Sequence, residues 1–202
     1  MDSEELAQEY LKNLKNKVKS EEIISILNSF KDLKVLVIGD CILDEYVFCD
    51  VMERAKKEPI LVFKHVETEL YAGGSLAIAN HVANFVGSVT LITSSGSDEK
   101  TTSFINNKLN PKINFNSFQD KNNITLIKRR YVYRYKNTKV FEVYSHSDYE
   151  ISSEIEKKII SHINEIINKH DLVIISDFGH GFITNNMREH LLKTNIFLAV
   201  NS

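Results

Sequence analysis

The segment KVLVIGD, residues Lys34-Val35-Leu36-Val37-Ile38-Gly39-Asp40, decides the fold. Its apolar residues run without interruption. That is the pattern of a strand buried on both faces, as in a parallel sheet covered by helices on either side. Gly39-Asp40 then ends the run at what would be the carboxyl end of a core strand.

Working outward, the same grammar repeats. SVTLIT (Ser88–Thr93), DLVIIS (Asp171–Ser176) and IFLAV (Ile196–Val200) are further core strands. Between them lie helical patterns. One begins after Gly73-Gly74, with Leu76, Ala79, Asn80 and Ala83 near one face. Others span Asp98–Leu109, Ile151–Asn168 and Asn185–Lys193. Strands alternating with helices predict an α/β fold with a mostly parallel sheet. Two stretches break the rhythm. Tyr46–Tyr71 and Ile124–Tyr144 are β-rich and carry no helix, so they are expected to form a second, smaller, antiparallel sheet. Val200 would then sit at or near a sheet edge that wants a neighbour. Upstream, residues 4–18 read as an amphipathic helix. Ser20 offers a cap for a second helix over Glu22–Phe30. These form a leader, residues 1–31, either packed on the domain or linking it to another.

Composition bounds the functional classes. The chain has 202 residues, 43% of them hydrophobic, with 25 Lys plus Arg against 27 Asp plus Glu. That is enough chain to bury a core, and a net charge of -2 gives no basic field for nucleic acid. No apolar run reaches the roughly 18 residues of a membrane span, and the charged N-terminus lacks a secretory apolar region. A cytoplasmic protein with no membrane partner is the expectation. Cys41 and Cys49 show no metal-ligand spacing, nor do the seven histidines, so no metal site is expected.

Ligands of open α/β sheets bind outside the carboxyl ends of the strands, which singles out three places. After the first strand, Asp40 and Asp44 lie four residues apart. They could accept hydrogen bonds from sugar hydroxyls or hold a metal; the plainer reading is a turn aspartate and a capping or surface one. Next, Gly73-Gly74 opens a helix, where the backbone can approach a ligand closely. Third, Asp177 and Gly179 follow the strand ending at Ser176 and suit a phosphate or a metal-bound water, although a loop needing glycine is an equal account. Lys128 and Arg130 share one strand face, with Arg129 on the other. They could meet a sugar phosphate or simply be solvated.

VIGDCILDEYVF (37–48), YAGGSLAIANHVANF (71–85), ITLIKRRYVY with KVFEVY (124–133, 139–144) and DLVIISDFGHGFIT (171–184) together resemble the ribokinase-like (PfkB-type) carbohydrate kinases. Within these the chain looks most similar to the heptose-phosphate kinase, ADP-heptose synthase-like branch. The resemblance covers about residues 34–202. It implies a three-layer α/β kinase domain over residues 32–202 with a small β lid at about 46–71 and 124–144. It further implies that Asp44 contacts sugar hydroxyls, that Gly73 and Gly74 present backbone to the same sugar, and that Glu142 is a lid contact. Asp177 would lie near the phosphates or magnesium, and the lid would build a homodimer. Ala77 stands where many members have Asn, and Asn80, one turn later, is the candidate substitute. The family's Gly-Ala-Gly-Asp segment, with its catalytic base and the adenine site, does not occur within residues 1–202. The chain therefore reads as an N-terminal sugar-binding portion with the C-terminal part of the fold missing. ATP and Mg2+ would act in the full-length parent and would not bind this chain tightly. A fused or missing cytidylyltransferase domain is a further implied partner. The rival reading is a non-catalytic sugar-binding or dimerisation module.

Overall fold

The computed structural model describes residues 3–53, 57–120, 124–145 and 150–202. Among these, β1 (Lys34–Gly39) is the middle of a five-stranded, all-parallel sheet of order β5-β4-β1-β8-β9. Its other members are β4 (Ser88–Thr93), β5 (Ile113–Ser117), β8 (Leu172–Ser176) and β9 (Phe197–Asn201). Leu36 and Ile38 face one layer and Val35 and Val37 the other, all buried. The first layer is α5 (Ser153–Ile166) and α6 (Asn185–Leu192), through Ile159, Ile163, Met187 and Leu191. The second is α3 (Gly74–Val82) and α4 (Glu99–Lys108), through Leu76, Ala79 and Ile105. This is the three-layer arrangement that uninterrupted apolar strands require. Ser152, Thr184 and Asp98 cap their helices through side-chain oxygens.

A second sheet has the order β3-β2-β6-β7, built of β2 (Cys41–Val51), β3 (Phe63–Gly73), β6 (Leu126–Tyr133) and β7 (Thr138–Ser145). Two expectations are corrected here. The small sheet is mixed, because β2 and β6 run parallel while β2–β3 and β6–β7 are antiparallel. It also begins at Cys41, not Tyr46, so Asp44 lies inside a strand. Asp40 is the one residue between β1 and β2. Strand β5 had no forecast. Its five residues, INFNS, alternate with polar groups at the sheet edge, so they lack the continuous apolar run of a central strand.

The expected edge exists: β9 closes the parallel sheet on one side, with Phe197 and Val200 exposed. Helices α1 (Ser3–Lys17) and α2 (Ser20–Ser29) bury none of their described side chains; Leu6, Tyr10 and Ile24 are exposed. Helix α2 starts at Ser20 itself, with Lys19 in the capping place and its N–H donating to Glu22. Part of the charged stretch 53–58 and of the loop 119–123 lies outside the described residues. Among the described residues, no helix is long and apolar enough to cross a membrane.

One close approach sets the centre of the molecule. A Cβ on Gly39 would lie 2.2 Å from the Ser176 carbonyl oxygen and 2.6 Å from its Cβ. Strands β1 and β8 therefore meet at Gly39↔Ser176 in a way only glycine permits.

Candidate functional site

Strand alternation and register place eight side chains on one face of the small sheet. In register, Tyr71, Asp44, Lys128 and Tyr144 make one rung across β3-β2-β6-β7; Glu69, Tyr46, Arg130 and Glu142 make the next. Directly paired residues point the same way, so acids, cations and phenol rings interleave.

Their contacts follow the grid. Arg130 donates from Nη1 to Asp44 Oδ1 and from Nε to Glu142 Oε1 at 3.0 Å, with its guanidinium 5.4 Å from the Tyr46 ring centre. Tyr144 donates to the other Glu142 oxygen at 2.8 Å. That bond, with Arg130 beside it, holds Glu142 below the usual carboxylate range. Tyr71 donates to Glu69 at 2.5 Å, which raises the Tyr71 hydroxyl above its ordinary value. Lys128 Nζ lies 5.4 Å from the Tyr144 ring and 5.8 Å from that of Phe178, in the loop after β8. This face therefore looks towards that loop.

Gly73 belongs to the same place. A Cβ there would sit 2.2 Å from Asp44 Oδ2. Asp44 is thus bonded to Arg130 through one oxygen, and its other oxygen occupies the space that a side chain at position 73 would fill. Gly74, with φ 52°, begins α3, and a Cβ there would meet the Asp40 carbonyl at 2.6 Å. So the structure gathers Asp44, Gly73, Lys128, Arg130 and Glu142 around one face.

The remaining candidates lie elsewhere. Asp40 is only 3% exposed. Its Oδ2 accepts the Phe178 N–H at 2.7 Å, and its carbonyl accepts the Ser75 N–H and hydroxyl at 3.0 and 2.9 Å. It joins β1, α3 and the loop after β8 from within. Asn80 donates its amide to the Lys108 carbonyl and accepts the Asn110 N–H, which ties α3 to the end of α4. Asp177 pairs with Arg188 at 2.8 Å and accepts the Gly179 N–H at 3.1 Å, Gly179 having φ 74°. Both line a separate cavity of about 480 Å³ with Glu156, Thr184 and Arg188. Among the described residues no group of three or more His, Cys, Asp or Glu could hold a metal ion. Both thiols are buried and free of disulfides, Cys49 donating to the Val47 carbonyl at 3.6 Å, and burial, then the Asp40 charge, pushes Cys41 up to about 12.

Burial raises the Asp40 carboxyl above its ordinary value of 3.8. A carboxyl raised in the folded state contributes stability below its unfolded value and loses that contribution as pH rises through the folded one. Asp40→Asn keeps an acceptor for Phe178 without the charge. It is expected to melt higher than the parent at neutral pH, with the gain vanishing in acid below the ordinary aspartate range. Melting curves over pH check this; a gain that persists in acid would assign it to another cause.

Sequence reasoning missed Glu69, Tyr71, Tyr144 and Phe178 as site groups and took Tyr46 only as an apolar lid residue. The signal was the period-2 alternation around Asp44 and Arg130. It becomes decisive only once the strand registers are known.

No family model matches the chain. Among curated proteins it is similar to the Bifunctional protein HldE of Desulfatibacillum aliphaticivorans, 28% identical over 167 residues, covering 81% of this chain and 33% of that protein. The protein of the same name from a Nitratiruptor species is 24% identical over 160 residues, covering 79% and 34%. The chain thus spans about a third of the length of these relatives. Among solved structures it resembles a possible 1-phosphofructokinase from Thermotoga maritima, with TM-score 0.60, 12% identity and coverage of 83% of this chain and 53% of that one. It also resembles the phosphofructokinase-2 of Escherichia coli in complex with fructose-6-phosphate, with TM-score 0.59, 14% identity and coverage of 83% and 54%. The resemblance carried by the four motifs holds in both comparisons, and the fold is ribokinase-like.

Proposed function

We propose that this chain is the sugar-binding portion of an ATP-dependent carbohydrate kinase whose acceptor is a sugar or sugar phosphate, with a heptose phosphate the first candidate. The observation that carries the reading is the posture of Asp44, a carboxylate bonded to Arg130 and lying over the bare Gly73 backbone on a face lined with tyrosines and cations. Carboxylates accept hydroxyl hydrogen bonds strongly, and such groups fix a sugar's orientation. Asp44 and Glu142 accept from hydroxyls, and Lys128 meets a phosphate from beside the loop after β8. Similarity to the HldE proteins and to sugar-kinase structures supports the same class.

In the parent protein ATP and Mg2+ supply the phosphoryl group and neutralise its charge. Asp177 and Gly179 are this chain's candidates for lying near that phosphate. Asp177 is already paired with Arg188, so no residue here is assigned to magnesium. The test of the site is Asp44→Asn in calorimetric titrations with sugar phosphates. A charge-assisted bond is worth about 1.5–3 kcal/mol, so the affinity is expected to fall about tenfold or more. An unchanged affinity would remove Asp44 from the site.

A dimerisation role is favoured by the opposite face of the small sheet. There Tyr131 and Phe141 stack at 4.3 Å, while Phe141 and Val143 remain 44% and 43% exposed. Under either function we read this face as joining two copies of the chain, since apolar sheet faces are normally covered and isologous pairs are the commonest closure. Light scattering at tens of micromolar is expected to give a dimer, and Phe141→Asp a monomer. A wild-type monomer with the fold intact overturns the dimer.

A further inference from the structure

The tyrosine-lined face has an internal charge balance that leaves two groups over. Arg130 serves both Asp44 and Glu142, and Lys139 lies 3.7 Å from Glu142. Two cations thus offset two carboxylates. Glu69 and Lys128 remain, neither in an ion pair among the described residues, on strands two spacings apart, or about 10 Å. Glu67, one rung farther along β3, adds to the negative side. The cation therefore stands at the β6 side and the anion at the β3 side.

The β3 side also has a shape. A shallow pocket of about 380 Å³ is lined by Asp44, Tyr46, Phe48, Glu69, Tyr71 and Asn137. The Tyr46 and Tyr71 rings meet edge to face at 5.8 Å, and Tyr71 is 49% exposed. Asn137, at φ 51° in the β6–β7 turn, adds an amide. Aromatic walls suit the C–H face of a sugar ring, while two carboxylates and an amide suit its hydroxyls. Glu69, the carboxylate left without a cation among the described residues, repels a second anion.

We propose that this pocket is a subsite for the uncharged, polyhydroxylated end of the acceptor, with Glu69 and Tyr71 setting specificity against an anionic group there. Tyr71 supplies the surface and holds Glu69 in place through its hydroxyl. Glu69 supplies the acceptor for hydroxyls and the repulsion. This rests on the reading of the face as the acceptor site.

The test is titration calorimetry of the 202-residue chain with fructose 6-phosphate, mannose 6-phosphate and sedoheptulose 7-phosphate, against fructose 1,6-bisphosphate. At least one monophosphate is expected to bind, with the bisphosphate about tenfold weaker. Glu69→Gln is expected to bring the bisphosphate to within about threefold of the monophosphate. Tyr71→Ala is expected to weaken the monophosphate about tenfold, and Tyr71→Phe, which keeps the ring, about threefold or less. Unchanged melting curves establish that the exposed-site variants remain folded. Monophosphate binding that is lost in Asp44→Asn but indifferent to the Glu69 and Tyr71 variants overturns the subsite alone. No binding of any sugar phosphate to the wild-type chain overturns the acceptor-site reading, and the subsite with it.

Discussion

Gly73→Ala is expected to cost the protein about tenfold or more in sugar-phosphate affinity while leaving its melting temperature nearly unchanged. The new Cβ would stand 2.2 Å from Asp44 Oδ2 and 2.9 Å from its Cγ. The backbone can accept the methyl group, because Gly73 sits at φ -116° and ψ -176°, extended values open to any residue. What must give way is the Asp44 carboxylate, by about 1 Å to reach ordinary contact. Its other oxygen is bound to Arg130, which is bound in turn to Glu142. A shift there disturbs three of the groups that define the face. Losing one charge-assisted hydrogen bond costs about 1.5–3 kcal/mol, or about tenfold or more in affinity. Stability should be spared because the group that must move is a side chain with about a quarter of its surface still in water, not strand backbone. Calorimetry with a sugar phosphate and a thermal melt on the same sample separate the two effects. Retained affinity would mean that Asp44 does not need its present posture to bind.

The opposite outcome is expected in the parallel sheet. Gly39→Ala should lower the melting temperature by about 6–12 °C, from a loss of about 3 kcal/mol. Here the Cβ meets backbone: the Ser176 carbonyl oxygen at 2.2 Å and carbonyl carbon at 2.8 Å. Strand β8 cannot retreat as a side chain can, since it is hydrogen-bonded to β1 on one side and β9 on the other. Thr93 also donates to the Gly39 carbonyl at 2.6 Å, fixing β1 against β4. Relief requires the strands to part at the centre of the sheet, where Leu36, Val37 and Ile38 are fully buried. A melting temperature within about 2 °C of the parent would show that β1 and β8 separate more easily than their packing suggests. The two glycine variants thus distinguish a glycine kept for binding from one kept for folding.

The parallel sheet was legible because burial on both faces leaves uninterrupted apolar runs, and KVLVI, SVTLIT and DLVIIS show them. INFNS does not, since an edge strand needs apolar residues only where it is covered. The site was legible in part. Lys128 and Arg130 had to share a face by alternation alone. What alternation cannot supply is register between distant strands. Arg130 meets Asp44 across 86 residues, and nothing in either segment announces it. For the same reason Tyr71 and Glu69 passed as ordinary lid strand, although they flank Asp44 and Tyr46 in space. Asn80 illustrates the reverse. It entered only through the resemblance, as the substitute for the Asn that Ala77 replaces, and no sequence signal announced that its amide is engaged with Lys108 and Asn110.

The single residue between β1 and β2 would be the fulcrum of any movement of the small sheet. Eleven residues of β2 make an arm of about 35 Å. A tilt of about 10° at Asp40 would carry the far end about 6 Å by simple leverage. That tilt cannot be private to the lid. The Asp40 carbonyl is bonded to Ser75 at the start of α3, and its carboxylate to Phe178 in the loop after β8. Moving the arm would therefore draw on both bonds at once, at the start of α3 and in the loop after β8.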